Sequence, residues 1–87
     1  MSEPAKQFPF KSLGTSLKQT REKLQESLIE VSGAVEIEVD ALSAIERGQD
    51  RPSEDILLLL ISHFGIKDDH ATKLWDLANY SSLGKIN

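Results

Sequence analysis

Residues 27–53 carry helix-start and helix-stop signals in an order that leaves room for two short helices, a tight turn and the start of a third helix. Ser27-x-x-Glu30 has the form of a capping box. There the serine oxygen accepts an orphan amide and the glutamate reaches back to the serine N–H. The helix it opens has an inward face of Leu28, Val31 and Ala34 or Val35. After a turn, Ile37 leads into a helix over 38–47 with Leu42 and Ile45 inward. Gly48 suits its end, because a left-handed residue is least costly as glycine. Pro52-Ser53 then precedes another helix, with Glu54 and Asp55 in its positively polarised first turn.

Apolar spacing on either side of this stretch adds the other helices. One is expected over 13–26, with Leu13, Leu17 and Leu24 on one face and Lys18, Arg21 and Lys23 elsewhere. The helix opened by Pro52-Ser53 should reach Phe64 and stop near Gly65. Asp68 or Asp69 would cap a fifth over 70–80, with Ala71, Leu74, Trp75 and Ala78 at helical spacing. Residues 1–11, interrupted by Pro4 and Pro9, read as a flexible tail whose Phe8 and Phe10 dock on the core. A peptide motif for a partner is the other use of those rings. Residues 81–87 are expected to fray. The domain is thus expected over 12–80, and the fold class is all-α with five helices.

Eighty-seven residues suit one small core. Without cysteine there is no disulfide, thiolate zinc site or thiol nucleophile, which fits a cytoplasmic protein. The first residues lack the apolar stretch of a signal peptide, and the longest apolar run, 56–61, is too short to span a bilayer. The net charge of −4 runs against the basic surface usual in proteins that bind nucleic acid.

The stretch as a whole resembles the Cro/C1-type (phage-repressor-like, XRE-type) helix-turn-helix family. The resemblance rests on Ser27, Leu28, Glu30, Val31, Ser32, Ala34, Ile37, Val39, Leu42 and the run Ser43-Ala44-Ile45-Glu46-Arg47-Gly48, then Arg51-Pro52-Ser53. Leu13, Gly14, Leu17 and Arg21 extend it backward, and Gly65-Ile66 forward. It implies a lambda-repressor-like domain that binds double-stranded DNA, with the second and third helices as the helix-turn-helix. By resemblance, Glu38, Val39, Asp40, Ser43 and Ala44 would face the bases, and Arg47 and Arg51 the DNA backbone. Ser27 and Leu28 would meet a phosphate at the start of the second helix. Arg21 and Glu46 would form a structural ion pair between the first and third helices.

The departures from the family concern that same surface. Glu36 stands at the tight turn where glycine is frequent, and a positive φ there would strain it. Glu38 stands where serine or threonine often caps the third helix, and Val39 and Asp40 replace polar or basic readers. A carboxylate can accept from cytosine N4 and valine can touch a thymine methyl. Three acids near phosphates are nevertheless opposed, since unit charges about 4 Å apart interact by about 4 kcal/mol at an effective dielectric of about 20. The alternative function is therefore a degenerate helix-turn-helix serving protein–protein contact.

The apolar run 56–61 exceeds one helix face. Leu59 is expected to be covered by the fifth helix near Trp75, or else to join a homodimer interface built from the fourth and fifth helices. His63 and His70 lack the i, i+4 spacing of a helix-borne zinc pair, so neither a metal nor another cofactor is expected. No nucleophile, paired acid/base site or phosphate loop stands out, and an enzyme is not expected.

Overall fold

A computed structural model describes residues 8–80. Most of the two expected tails, residues 1–7 and 81–87, lies outside the described residues. The described chain is all-helical, without a strand: α1 (Lys11–Lys23), α2 (Leu28–Ala34), α3 (Val39–Arg47), α4 (Glu54–Phe64) and α5 (Asp68–Leu77). No helix among these residues is long and apolar enough to cross a membrane.

Local chemistry accounts for most boundaries. At the start of α2, the Glu30 amide donates to Ser27 Oγ at 3.0 Å and the Ser27 amide donates to Glu30 Oε1 at 2.7 Å. At the start of α4, the Ile56 amide donates to Ser53 Oγ at 3.2 Å. Gly48 ends α3 at φ 84°, and the amides of Gly48 and Gln49 return to the carbonyls of Ile45 and Ala44. A Cβ at Gly48 would also sit 2.6 Å from Lys11 Cα, so both backbone angle and space require glycine.

The ends of α1 and α5 differ from expectation, because left-handed residues other than glycine set them. Leu24 lies beyond α1 and is 48% exposed, since Gln25 at φ 61° turns the chain away. Asn79 at φ 65° follows the last turn of α5 at Leu77. Asp68 and Asp69 occupy the first turn of α5, and Lys67 is the N-cap without a side-chain bond. At the other end of the chain, Lys11 is already helical and Phe10 is half-buried, with its amide donating to the Gly48 carbonyl at 3.3 Å.

Each helix contributes to one core: Leu13 and Leu17, Val31 with Val35 after α2, Leu42 and Ile45, Leu57, Leu60 and Ile61, and Leu74 with Ala78 after α5. The closest approach is between α1 and α3. A Cβ on Gly14 would lie 2.5 Å from the Ile45 carbonyl oxygen and 2.7 Å from the Glu46 carbonyl carbon, both backbone atoms that cannot swing aside. Leu59 is not covered by α5 as expected; it is 45% exposed, and Leu58 is 53% exposed. The cause is that α5 packs chiefly along α1.

Gly14→Ala should lower the unfolding free energy by about 2–3 kcal/mol, as forced overpacking does. Gly33→Ala is the control, because a Cβ there meets nothing within 4 Å. Helix propensity favours that change by about 0.5–1 kcal/mol. Urea unfolding followed by circular dichroism measures both.

Candidate nucleic-acid interface

Two features shared by α1 and α3 build the site. Its floor is the Arg21–Glu46 pair, in which Arg21 Nε donates to Glu46 Oε2 at 2.7 Å and Nη2 donates to Oε1 at 3.0 Å. Arg21 Nη1 also donates to the Glu26 carbonyl at 2.9 Å, fixing the loop that leads into α2. Both side chains are buried. The hydrogen bonds it donates to Glu46 hold the Arg21 guanidinium above its ordinary pKa, while burial opposes the shift.

Above this pair lies a groove of about 470 Å³. Lys11, Thr15 and Lys18 form its α1 wall, Ser43 and Arg47 its α3 wall, and Leu28 and Phe8 line it further. The spacing of Lys11, Thr15 and Lys18 is i, i+4, i+7, so one helix face carries all three. Of the positions expected to meet DNA, Leu28, Ser43 and Arg47 are therefore brought together. The Arg47 guanidinium donates through Nη1 to Ser43 Oγ, and through Nε and Nη2 to Gln49 Oε1 at 3.1 and 2.7 Å. Lys11 and Thr15 were not singled out from the sequence. Their helical register with Lys18 was the available signal, hidden by assigning Lys11 to the tail.

Other expected contacts fall elsewhere. Val39 and Asp40 are exposed in the first turn of α3, Glu38 is an N-cap without a side-chain bond, and Ala44 is half-buried. Glu36 takes φ 60° in the turn between α2 and α3, a conformation in which a non-glycine residue is strained by about 1–2 kcal/mol. At the start of α2, the hydroxyl and amide of Ser27 are both engaged by Glu30. The Glu30 carboxylate thus places negative charge where a phosphate was expected.

Arg51 does not line the groove. Its Nε donates to the Ala78 carbonyl at 2.8 Å and Nη2 to the Asn79 carbonyl at 3.1 Å. The guanidinium stacks 3.9 Å from the Tyr80 ring centre, and the Tyr80 hydroxyl donates to the Pro52 carbonyl at 2.9 Å. A cation at the C-terminal end of α5 complements the partial negative charge there. Arg51 thereby ties the α3–α4 connection to the end of α5.

Neither histidine lines this groove. His63 Nε2 lies 2.8 Å from Glu26 Oε1, linking α4 to the α1–α2 loop. His70 borders a second open groove of about 890 Å³, walled by Ser16, Thr20 and Lys23 of α1 and by Lys67 and Lys73. No group of three or more His, Asp or Glu side chains suited to a metal ion occurs among the described residues. No family model, no curated protein and no solved structure matches the chain.

Arg51→Ala should cost about 1–2 kcal/mol of stability, through two lost charge-assisted hydrogen bonds and the aromatic stack. Thermal unfolding reads this directly. A melting temperature that stays at the wild-type value would show that the guanidinium contacts contribute nothing.

Proposed function

We propose that this chain is a sequence-specific DNA-binding domain of a transcriptional regulator, with α2 and α3 as a lambda-repressor-like helix-turn-helix. The observation that carries the proposal is the convergence of Lys11, Lys18 and Arg47 on one groove beside the outward face of α3. Phosphates neutralised by these cations would fix the duplex against α1 and the end of α3. The first turn of α3 then enters the major groove. There Asp40 can accept from cytosine N4, Val39 can contact a thymine methyl, and Ser43 can serve either kind of base edge.

The acids tune this mechanism. Glu36, Glu38 and Asp40 are exposed around the start of α3, whereas the cations border its other end and α1. Repulsion between these acids and the duplex weakens every sequence that offers no donor to them. Only a site with suitably placed cytosine amino groups offsets the cost. Weak non-specific binding and a strong demand on sequence follow from the same three carboxylates.

A second reading has its own observation. Ile29 is 74% exposed on α2 and Val39 is 37% exposed at the start of α3, with Glu30 on α2, Glu36 and Glu38 in the connection between the two helices and Asp40 on α3. An apolar and acidic surface of this kind suits a basic protein partner, as in a helix-turn-helix retained for protein contact.

Fluorescence anisotropy with a random duplex pool separates the two. With three cations at the phosphates, log K should fall with log salt at a slope of about −3. Lys18→Ala and Arg47→Ala should each reduce that slope by about one. Absence of binding at low salt would leave the second reading in place.

A further inference from the structure

The groove of about 890 Å³ between α1 and the first turns of α5 takes no part in the proposed DNA contact. Its floor is apolar, with Leu74 buried and Ile66 half-buried. Ser16, Gln19, Thr20 and Lys23 follow at i, i+3, i+4 and i+7, so one face of α1 forms a whole wall. Thr20 Oγ1 donates to the Ser16 carbonyl at 2.9 Å, whereas the Ser16 hydroxyl and the Gln19 carboxamide bond to nothing among the described residues. Lys67 and Lys73 border the groove from the α5 side. Neither these two nor Lys23 donates a hydrogen bond or forms an ion pair among the described residues. Asp69 precedes Lys73 by one helical turn, a spacing that favours pairing, yet the two remain apart. Asp68 and Asp69 also border the groove, in the first turn of α5, where the helix dipole favours negative charge. With three lysines against two aspartates the lining is cationic, although the whole chain carries −4.

We propose that this groove is a binding site for a small organic phosphate monoester. Its phosphate meets the lysine ammoniums together with the Ser16 and Gln19 donors, and its apolar body lies on Leu74 and Ile66. The charge count selects the head group. A phosphate monoester brings nearly two negative charges and three strong acceptor oxygens, whereas a single carboxylate would leave most of the three ammoniums unmatched. Lysine suits this task, since it binds phosphate as a point charge from a flexible stem. The floor selects the body, because a bare inorganic ion gains nothing from Leu74 and Ile66. The volume lies within the range of small-molecule sites, which combine an apolar lining with a few convergent polar groups. The site needs no DNA, and α1 presents a different face to it from the one bearing Lys11, Thr15 and Lys18.

Phenyl phosphate is the probe, titrated without DNA into the isotope-labelled full chain at constant ionic strength. At about pH 7.5 the ester carries nearly two negative charges. Saturating amide shifts should centre on Ser16, Thr20, Lys67, Lys73 and Leu74, with a Kd of about 1–10 mM. Inorganic phosphate should bind about tenfold more weakly, because it has no apolar body to bury. Lys67→Ala and Lys73→Ala should each weaken the ester by about two- to fivefold, the range for exposed charge pairs, and the double variant by about tenfold. Both lysines are exposed, so the rest of the amide spectrum should stay in place. Shifts that remain linear up to about 40 mM overturn the proposal. So do equal shifts along Lys11, Lys18 and Arg47, inorganic phosphate that binds as tightly as the ester, or a double lysine variant with wild-type affinity.

Discussion

The rest of the molecule depends on how closely α1 lies against α3. Gly14 has no side chain to hold the Ile45 and Glu46 carbonyls away, and Arg21 then reaches Glu46 with two parallel hydrogen bonds. The two features enforce each other. Close contact removes water from the ion pair, and the bidentate geometry fixes the rotation of one helix relative to the other. Such a pair contributes more to geometry than to net stability, because desolvation offsets much of its attraction. Its third donor, on the Glu26 carbonyl, extends the same constraint to the loop before α2. One guanidinium therefore coordinates the placement of α1, α2 and α3.

That placement sorts the charges of an acidic protein. Lys11 and Lys18 project from the α1 face beside the ion pair, and Arg47 stands one residue beyond Glu46. A local positive groove thus arises although the whole chain carries −4. The acids Glu36, Glu38 and Asp40 are grouped in the turn and first turn that precede it. Net charge describes long-range attraction, while recognition at contact depends on this local order. In the proposed mechanism the groove supplies attachment, and the acidic end of α3 supplies discrimination.

Local chemistry was readable in the sequence, and the Arg21–Glu46 pair through the resemblance, whereas other tertiary destinations were not. Ser27 and Glu30 form the reciprocal cap their spacing implies, and Gly48 and Gly65 stop α3 and α4 where glycine was expected to. Such signals act within one helical turn and owe little to the rest of the chain. The ends set by Gln25, Asn79 and Asp68 were missed, because left-handed geometry at those residue types leaves a weaker mark. The tie made by Arg51 was not foreseen because the carbonyls and ring that hold it lie 27 to 29 positions further on, at Ala78, Asn79 and Tyr80. Lys11 was taken for tail because the helix was expected to begin two residues later. Foreseeing that Leu59 stays exposed required knowing that α5 would follow α1, which no spacing within α4 discloses.

The most direct test of the account is a titration of the isotope-labelled chain with random duplex DNA at low salt, followed by backbone amide resonances. The account predicts that the largest shifts cluster at Lys11, Thr15, Lys18, Leu28, Ser43 and Arg47, on the groove above the Arg21–Glu46 pair. Shifts confined to α5 or to the α1 face bearing Ser16 and Thr20 would contradict it, as would a spectrum that DNA leaves unchanged.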